Sequence, residues 1–231
     1  MKAAAYNVLV FFILSVAAIQ PGLAQNQVQA TPAPFKATYS LVIKGWPDAR
    51  IHHRLSHQGA LWQSEMSASI ATAKGDELSR FRLAGNDVNA QFYSSGYRFL
   101  GFGERYELDA NELSHLPDRQ TALFILSRAA KNARCTHSQV APCRFSFLNH
   151  KGEEKLLKYR VVKHDQVTVP AGTFPRVVVD VWDPEERDRH MFIGFHSDMP
   201  GLLLSFEYQR EGERKSHLTL SRLALGNSAS Q

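Results

Sequence analysis

The sequence predicts a mainly β protein, an antiparallel meander curled into a barrel or half-barrel with one amphipathic helix. Three observations lead there. After residue 34, apolar and polar residues alternate with period two through a series of short runs. The links between runs are short and carry Gly, Pro, Asn or Asp, which suits hairpins and leaves no room for βαβ crossovers. Only one stretch, about 118–131, changes to helical spacing. The chain has 231 residues, 44% apolar and 21% charged, with a formal charge of +5. That balance excludes global disorder and rod-like folds, and the weak, dispersed positive charge gives no footprint for nucleic acid.

The first 24 residues read as a cleavable signal peptide. Lys2 supplies the positive end, Val8 to Ile19 is an apolar run too short to span a bilayer, and Pro21 with Gly22-Leu23-Ala24 prepares a cut before Gln25. No Cys follows the run, so a lipid-anchored terminus is not expected, and a periplasmic location is. Residues 25–34 (QNQVQATPAP) are polar and proline-bearing and predict a disordered arm. A single β domain is expected over 35–224, followed by a disordered tail over 225–231.

In the first strand Phe35, Ala37, Tyr39, Leu41 and Ile43 share a face. Gly45-Trp46-Pro47-Asp48 turns the chain into a second run with Ile51, His53 and Leu55 on one side, and Gln58-Gly59-Ala60 turns it again. The third run, Leu61 to Ala73, aligns Trp62, Ser64, Met66, Ala68 and Ile70. Gly75-Asp76 and Gly85-Asn86-Asp87 read as the turns bracketing a fourth run around Phe81 and Leu83. Two further strands are expected between Val88 and Leu108, made irregular by Gly96, Gly101 and Gly103.

Pro117-Asp118 then starts a helix: the acid caps it, Ala122, Leu123, Leu126, Ala129 and Ala130 form its apolar face, and Arg128 and Lys131 suit its negative end. Strands resume at Arg144 to Asn149 and Lys155 to His164. Val169-Pro170-Ala171-Gly172 reads as a three-residue hairpin link, with Gly172 in a positive-φ bulge. The next strand sets Val177, Val179 and Val181 on one face, and Asp183-Pro184 ends it. Arg189 to Phe195, Leu202 to Arg210 and Ser216 to Leu223 complete the meander, with Met199-Pro200-Gly201 and Glu211-Gly212 as turns.

Cys135 and Cys143 are the only cysteines. In an oxidising compartment two thiols this close should pair, and closing so short a loop is worth about 2–3 kcal/mol.

The stretch DQVTVPAGTFPRVVVDVW, Asp165 to Trp182, with Pro170, Ala171, Gly172 and Phe174 as its turn signature, resembles the DUF3108 family of exported bacterial proteins of unknown function. The likeness extends from Phe35-Lys36-Ala37-Thr38-Tyr39 through Ser79-Arg80-Phe81-Arg82-Leu83 and the Pro117-Asp118 helix to Met199-Pro200-Gly201 and the last strands. It departs at Thr121, where a Ser is expected, and at Pro200-Gly201-Leu202, where Leu-Pro-Val is more usual. The resemblance implies a barrel-with-helix plan, similar to that of periplasmic lipoprotein carriers, and no catalytic residues.

Chemistry-bearing patterns are sparse. His52 and His53 point to opposite faces of a strand, and His53 and His57 lie roughly 13 Å apart along it, so neither pair chelates a metal. Asp180, Asp183, Glu185, Glu186 and Asp188, interleaved with Arg187, Arg189 and His190, lack the glycine bend of a calcium loop and read as a solvated hairpin tip. Ser94-Ser95-Gly96 lacks the nucleophile elbow, and no glycine-rich loop precedes the helix. Trp62, Tyr93, Phe102, Tyr106, Phe192 and Phe195 either line a cavity or fill the core, filling being the ordinary outcome. No cofactor or metal is expected.

The functional expectation is a noncatalytic exported protein that holds a hydrophobic ligand, or works with an envelope protein. A cavity walled by Tyr39, Leu41, Ile43, Trp62, Met66, Ile70, Val177, Val179, Val181, Met191, Ile193 and Phe195 would select acyl chains, because such a lining offers polar ligands no replacement for lost hydration. An interaction domain with a filled core is the alternative, and an enzyme acting on envelope polymers is a third reading.

Overall fold

A computed structural model describes residues 30–226. The signal peptide expected over 1–24, most of the arm and residues 227–231 of the tail lie outside the described residues. The described part of the arm, 30–34, has no regular structure, yet Pro32 is buried and the Pro34 carbonyl accepts from the Gly226 amide at 2.8 Å.

Twelve antiparallel strands form one sheet in the order β6-β5-β4-β3-β2-β1-β12-β11-β10-β9-β8-β7. The first half of the chain runs β1 (Phe35–Ile43), β2 (Ala49–Gln58), β3 (Leu61–Ile70), β4 (Ala73–Ala84), β5 (Asp87–Phe99) and β6 (Phe102–Leu108). A 3-10 turn over Glu112–Ser114 and the helix α1 (Arg119–Ala130) follow. The second half runs β7 (Cys143–Leu148), β8 (Glu154–Val169), β9 (Gly172–Trp182), β10 (Arg189–His196), β11 (Leu203–Arg210) and β12 (Glu213–Leu225). Two six-strand meanders are therefore joined at the middle of the sheet by the pairing of β1 with β12, and β6 and β7 remain its edges. This is the expected half-barrel, unclosed.

Alternation decides the inner face. Phe35, Ala37 and Tyr39 on β1 are buried together with Leu55, Trp62, Phe81, Val177, Val179, Phe195 and Leu220 in one apolar cluster. Helix α1 lies in the concavity at one end, its Phe124 ring 4.6 Å from that of Phe81. Asp118 caps it, accepting from the Gln120 and Thr121 amides at 2.9 and 3.0 Å. The same carboxylate accepts from Ser79 Oγ at 2.8 Å and Thr121 Oγ1 at 2.7 Å, which fastens the helix start to β4. Arg128 donates to the carbonyls of Gly85 and Asn86 at the β4–β5 turn, and Gly201 donates to Ser127 Oγ at 2.8 Å. A Cβ at Gly201 would stand 3.1 Å from Phe124, so this turn docks on the helix because it carries no side chain.

Three local expectations are corrected. The third run ends at Ile70, and the chain turns at Ala71-Thr72 with Ala71 at φ 47°, while Gly75-Asp76 lie inside β4. Turn composition failed because the geometry falls on a residue that seldom adopts it. The 88–108 stretch is two strands whose irregularity is a bulge at Gln91 rather than at the glycines: Gly96 lies under the Arg105 side chain, and Gly103 passes so close to Tyr97 that no Cβ fits. The β8–β9 link is two residues, since Val169 pairs with Gly172, although Gly172 does hold a positive φ of 139°.

Cys135 and Cys143 form a disulfide with Cα atoms 5.6 Å apart. It ties the segment after α1 to the start of β7, and the Cys135 carbonyl accepts from the Val161 amide on β8 at 2.7 Å.

Candidate functional site

The register explains where the concavity is filled and where it is empty. On one transverse row the inner face of the first half presents Tyr39, Ile51, Ala68, Gly75 and Tyr97, each paired with the next across strands β1 to β5. Ala68 and Gly75 remove volume side by side. Across β1 the Tyr39 row continues to Leu220, and the neighbouring inward row runs from Leu41 on β1 through Leu218, Phe206, Ile193, Val179 and Val161 of the second half, all bulky. A cavity of about 400 Å³ opens on the first half, lined by Ile51, Met66, Ala68, Gly75, Tyr97 and Tyr106, with Glu77, Ser95, Arg119 and His150 among its polar members. Its size falls within the ordinary range for small-molecule sites.

The polar side of the cavity is tightly held. Glu77 forms an ion pair with Arg119, at the first position of α1, and also accepts from Tyr93 Oη at 3.2 Å and Gln120 Nε2 at 3.1 Å. Burial lowers the Arg119 pKa and pushes the Tyr93 phenol up to about 12. The Tyr106 ring meets His150 edge-on at 4.9 Å, bringing the β7–β8 turn against edge strand β6. With three donors on Glu77, its carboxylate is engaged, and no hydroxyl on the wall is hydrogen-bonded to a histidine base. The arrangement suits binding: an apolar wall with a fixed dipolar patch at one side.

Of the residues expected to wall a cavity, Met66 lines this one. Tyr39, Val177, Val179, Val181 and Phe195 are completely buried in the packed core, Trp62 and Ile193 nearly so, and Leu41, Ile43, Ile70 and Met191 are partly buried. Among the aromatic residues, Tyr106 lines the cavity, Tyr93 supports Glu77 from within the core, and Phe102 does neither: it is 83% exposed. The residues missed were the small ones. Ala68 stands on the expected inward face, but Gly75, expected at a turn, lies inside β4 beside it, and the pair leaves the inward bulk absent.

Other polar expectations are redistributed. Asp180 does not belong to the solvated tip. It is fully buried on the opposite sheet face, where Arg160 Nε at 3.1 Å and His190 Nδ1 at 2.7 Å hold it. His53 is buried against Phe35 with Nε2 3.0 Å from Ser64 Oγ, and burial lowers its pKa to about 4, whereas His52 is exposed. Among the described residues no group of three His, Cys, Asp or Glu side chains gathers to hold a metal. No helix among them is long and apolar enough to cross a membrane.

No family model matches the chain, and no curated protein matches its sequence. Solved structures do align with most of it at low likeness. A protein of Bacteroides fragilis described as exported, with a YmcC-like fold, is 13% identical with a TM-score of 0.41, covering 85% of this chain and 99% of its own. MucB of Pseudomonas aeruginosa, solved with MucA, is 14% identical with a TM-score of 0.40, and the match covers 86% of this chain and 53% of that one. A protein of Parabacteroides distasonis described as a lipoprotein is 11% identical with a TM-score of 0.38, covering 85% and 97% of the two chains.

Proposed function

We propose that this is a noncatalytic, exported envelope protein of the periplasm that holds an acyl chain or similar hydrophobic ligand in the concavity of its first six strands. The observation that carries the reading is the row Ile51, Ala68, Gly75 and Tyr97, where small side chains leave about 400 Å³ beside apolar walls. An apolar wall favours a hydrocarbon chain and penalises sugars or ions, which lose hydration there without replacement. The Arg119 guanidinium, held by Glu77 at the side of the cavity, offers a polar head one fixed partner, and the three donors already on the Glu77 carboxylate speak against a general base. The disulfide supports an oxidising compartment.

The test is native mass spectrometry of protein purified from its own envelope without detergent exchange. Substoichiometric lipid is expected, and Ala68→Trp should remove it while leaving the urea midpoint nearly unchanged. Lipid-free wild-type protein would move the assignment to an interaction domain.

A further inference from the structure

The β5–β6 hairpin displays apolar side chains where its backbone would be better served by polar ones. Phe99 pairs with Phe102, leaving Leu100-Gly101 as a two-residue turn with φ of 51° and 90°. Asn or Gly at the first position enters that conformation readily, and a leucine there is strained. Leu100 is nevertheless 63% exposed, Phe99 54% and Phe102 83%. Phe99 and Phe102 stand on the same sheet face as Tyr97, which lines the cavity, so aromatic side chains lead from the cavity to the tip, with the exposed Glu104 paired beside Tyr97 as the one acid among them. On the opposite face Lys74 of β4 and Arg98 of β5 are paired and both exposed, and the nearby Asp76 is held by Arg105 at 2.7 Å, which leaves the two cations free to face outward. The β1–β2 turn, at the same end of the meander, exposes Trp46.

We infer that this tip is a membrane-interface anchor: Phe99, Leu100 and Phe102 enter the acyl boundary of an anionic bilayer while Lys74 and Arg98 meet its headgroups. Apolar side chains at a narrow tip with a cationic collar fit a lipid surface, since hydrocarbon burial and attraction to anionic lipid act together there. Docking in this pose sets the cavity mouth against the bilayer, and Tyr97 becomes the threshold an acyl chain crosses. The inference rests on the acyl-binding reading.

Flotation of the disulfide-bonded mature chain with vesicles of phosphatidylglycerol and phosphatidylethanolamine, against phosphatidylcholine alone, tests it. Binding to the anionic vesicles is expected, weakened about tenfold by Leu100→Asn and by Phe102→Ser, and weakened by Lys74→Glu with Arg98→Glu or by high salt. Leu100→Asn suits the turn, so loss of folding cannot account for its effect, and the urea midpoint checks this. Absence of vesicle binding, or binding indifferent to Leu100→Asn, overturns the inference. So does light scattering that finds a dimer abolished by the same substitution, which would make a second copy the occupant. Ala68→Trp separates the two proposals: vesicle binding that persists in it while lipid is absent from wild-type protein refutes the acyl cavity and keeps the anchor.

Discussion

The two meanders share a topology and differ in what their inner faces carry. The second half lays Val177, Val179, Val181, Ile193, Phe195, Leu204, Leu218 and Leu220 against one another, all nearly or fully buried. The first half buries Phe35, Leu55, Trp62 and Phe81 near the helix, then gives way to Ala68, Gly75 and Ser95 toward the opposite end. The same curled sheet is thus a packed core on one side and an open groove on the other. Strand number and curl set the space available, and side-chain volume along each row decides how much of it stays empty.

The sharpest way to break that comparison is to insert the same bulk on both sides. Val179→Trp should overpack the second half and lower stability by more than about 3 kcal/mol, whereas Ala68→Trp, entering open space, should cost less than about 1 kcal/mol. Equal urea midpoints for the two variants would deny that the halves differ.

Next in size is the fastening of the helix. Asp118→Ala removes the cap and leaves the buried hydroxyls of Ser79 and Thr121 with one acceptor fewer, an expected loss of about 3 kcal/mol. Because α1 packs its Phe124 on Phe81 of the first half, amide exchange in β4 should accelerate more than in β9. Uniform acceleration would mean the halves unfold as one unit.

His53 sharpens the comparison through pH. Its ring is buried in the first half with Nδ1 lacking a hydrogen-bond partner, and its pKa falls from 6.5 to about 4. The unfolded chain takes up a proton near 6.5 and the folded one resists until about 4, so this stability is complete above 6.5 and lost as pH falls toward 4. Between pH 7 and 5 the loss should be about 2 kcal/mol. Asp118, whose pKa is raised by burial, works in the opposite sense, so the measurement is the difference in urea midpoint shift between wild type and His53→Gln. Parallel shifts in the two proteins would remove His53 from the account.

The smallest effect lies at the β8–β9 turn. Gly172→Val meets both the positive φ and a Phe174 contact at 3.2 Å, and should cost somewhat more than about 1 kcal/mol, while Ala171→Ser should cost little. Small and equal effects would refute the strain assigned there.

Local pattern determined a good deal of this molecule. Period-two alternation places Phe35, Ala37 and Tyr39 on one inner face, Asp118 with the following apolar spacing places the helix at Arg119–Ala130, and the close cysteines pair as expected. Those signals are local: each depends on a few neighbouring residues and the geometry of one element. The site was not local. That Ala68 stands beside Gly75, that Glu77 meets Arg119 across the concavity, and that Asp180 is buried rather than solvated follow from strand register, curl and helix docking. An alternating pattern states which face a side chain occupies, but the volume left over that face depends on which rows meet, and only the tertiary structure brings the rows together.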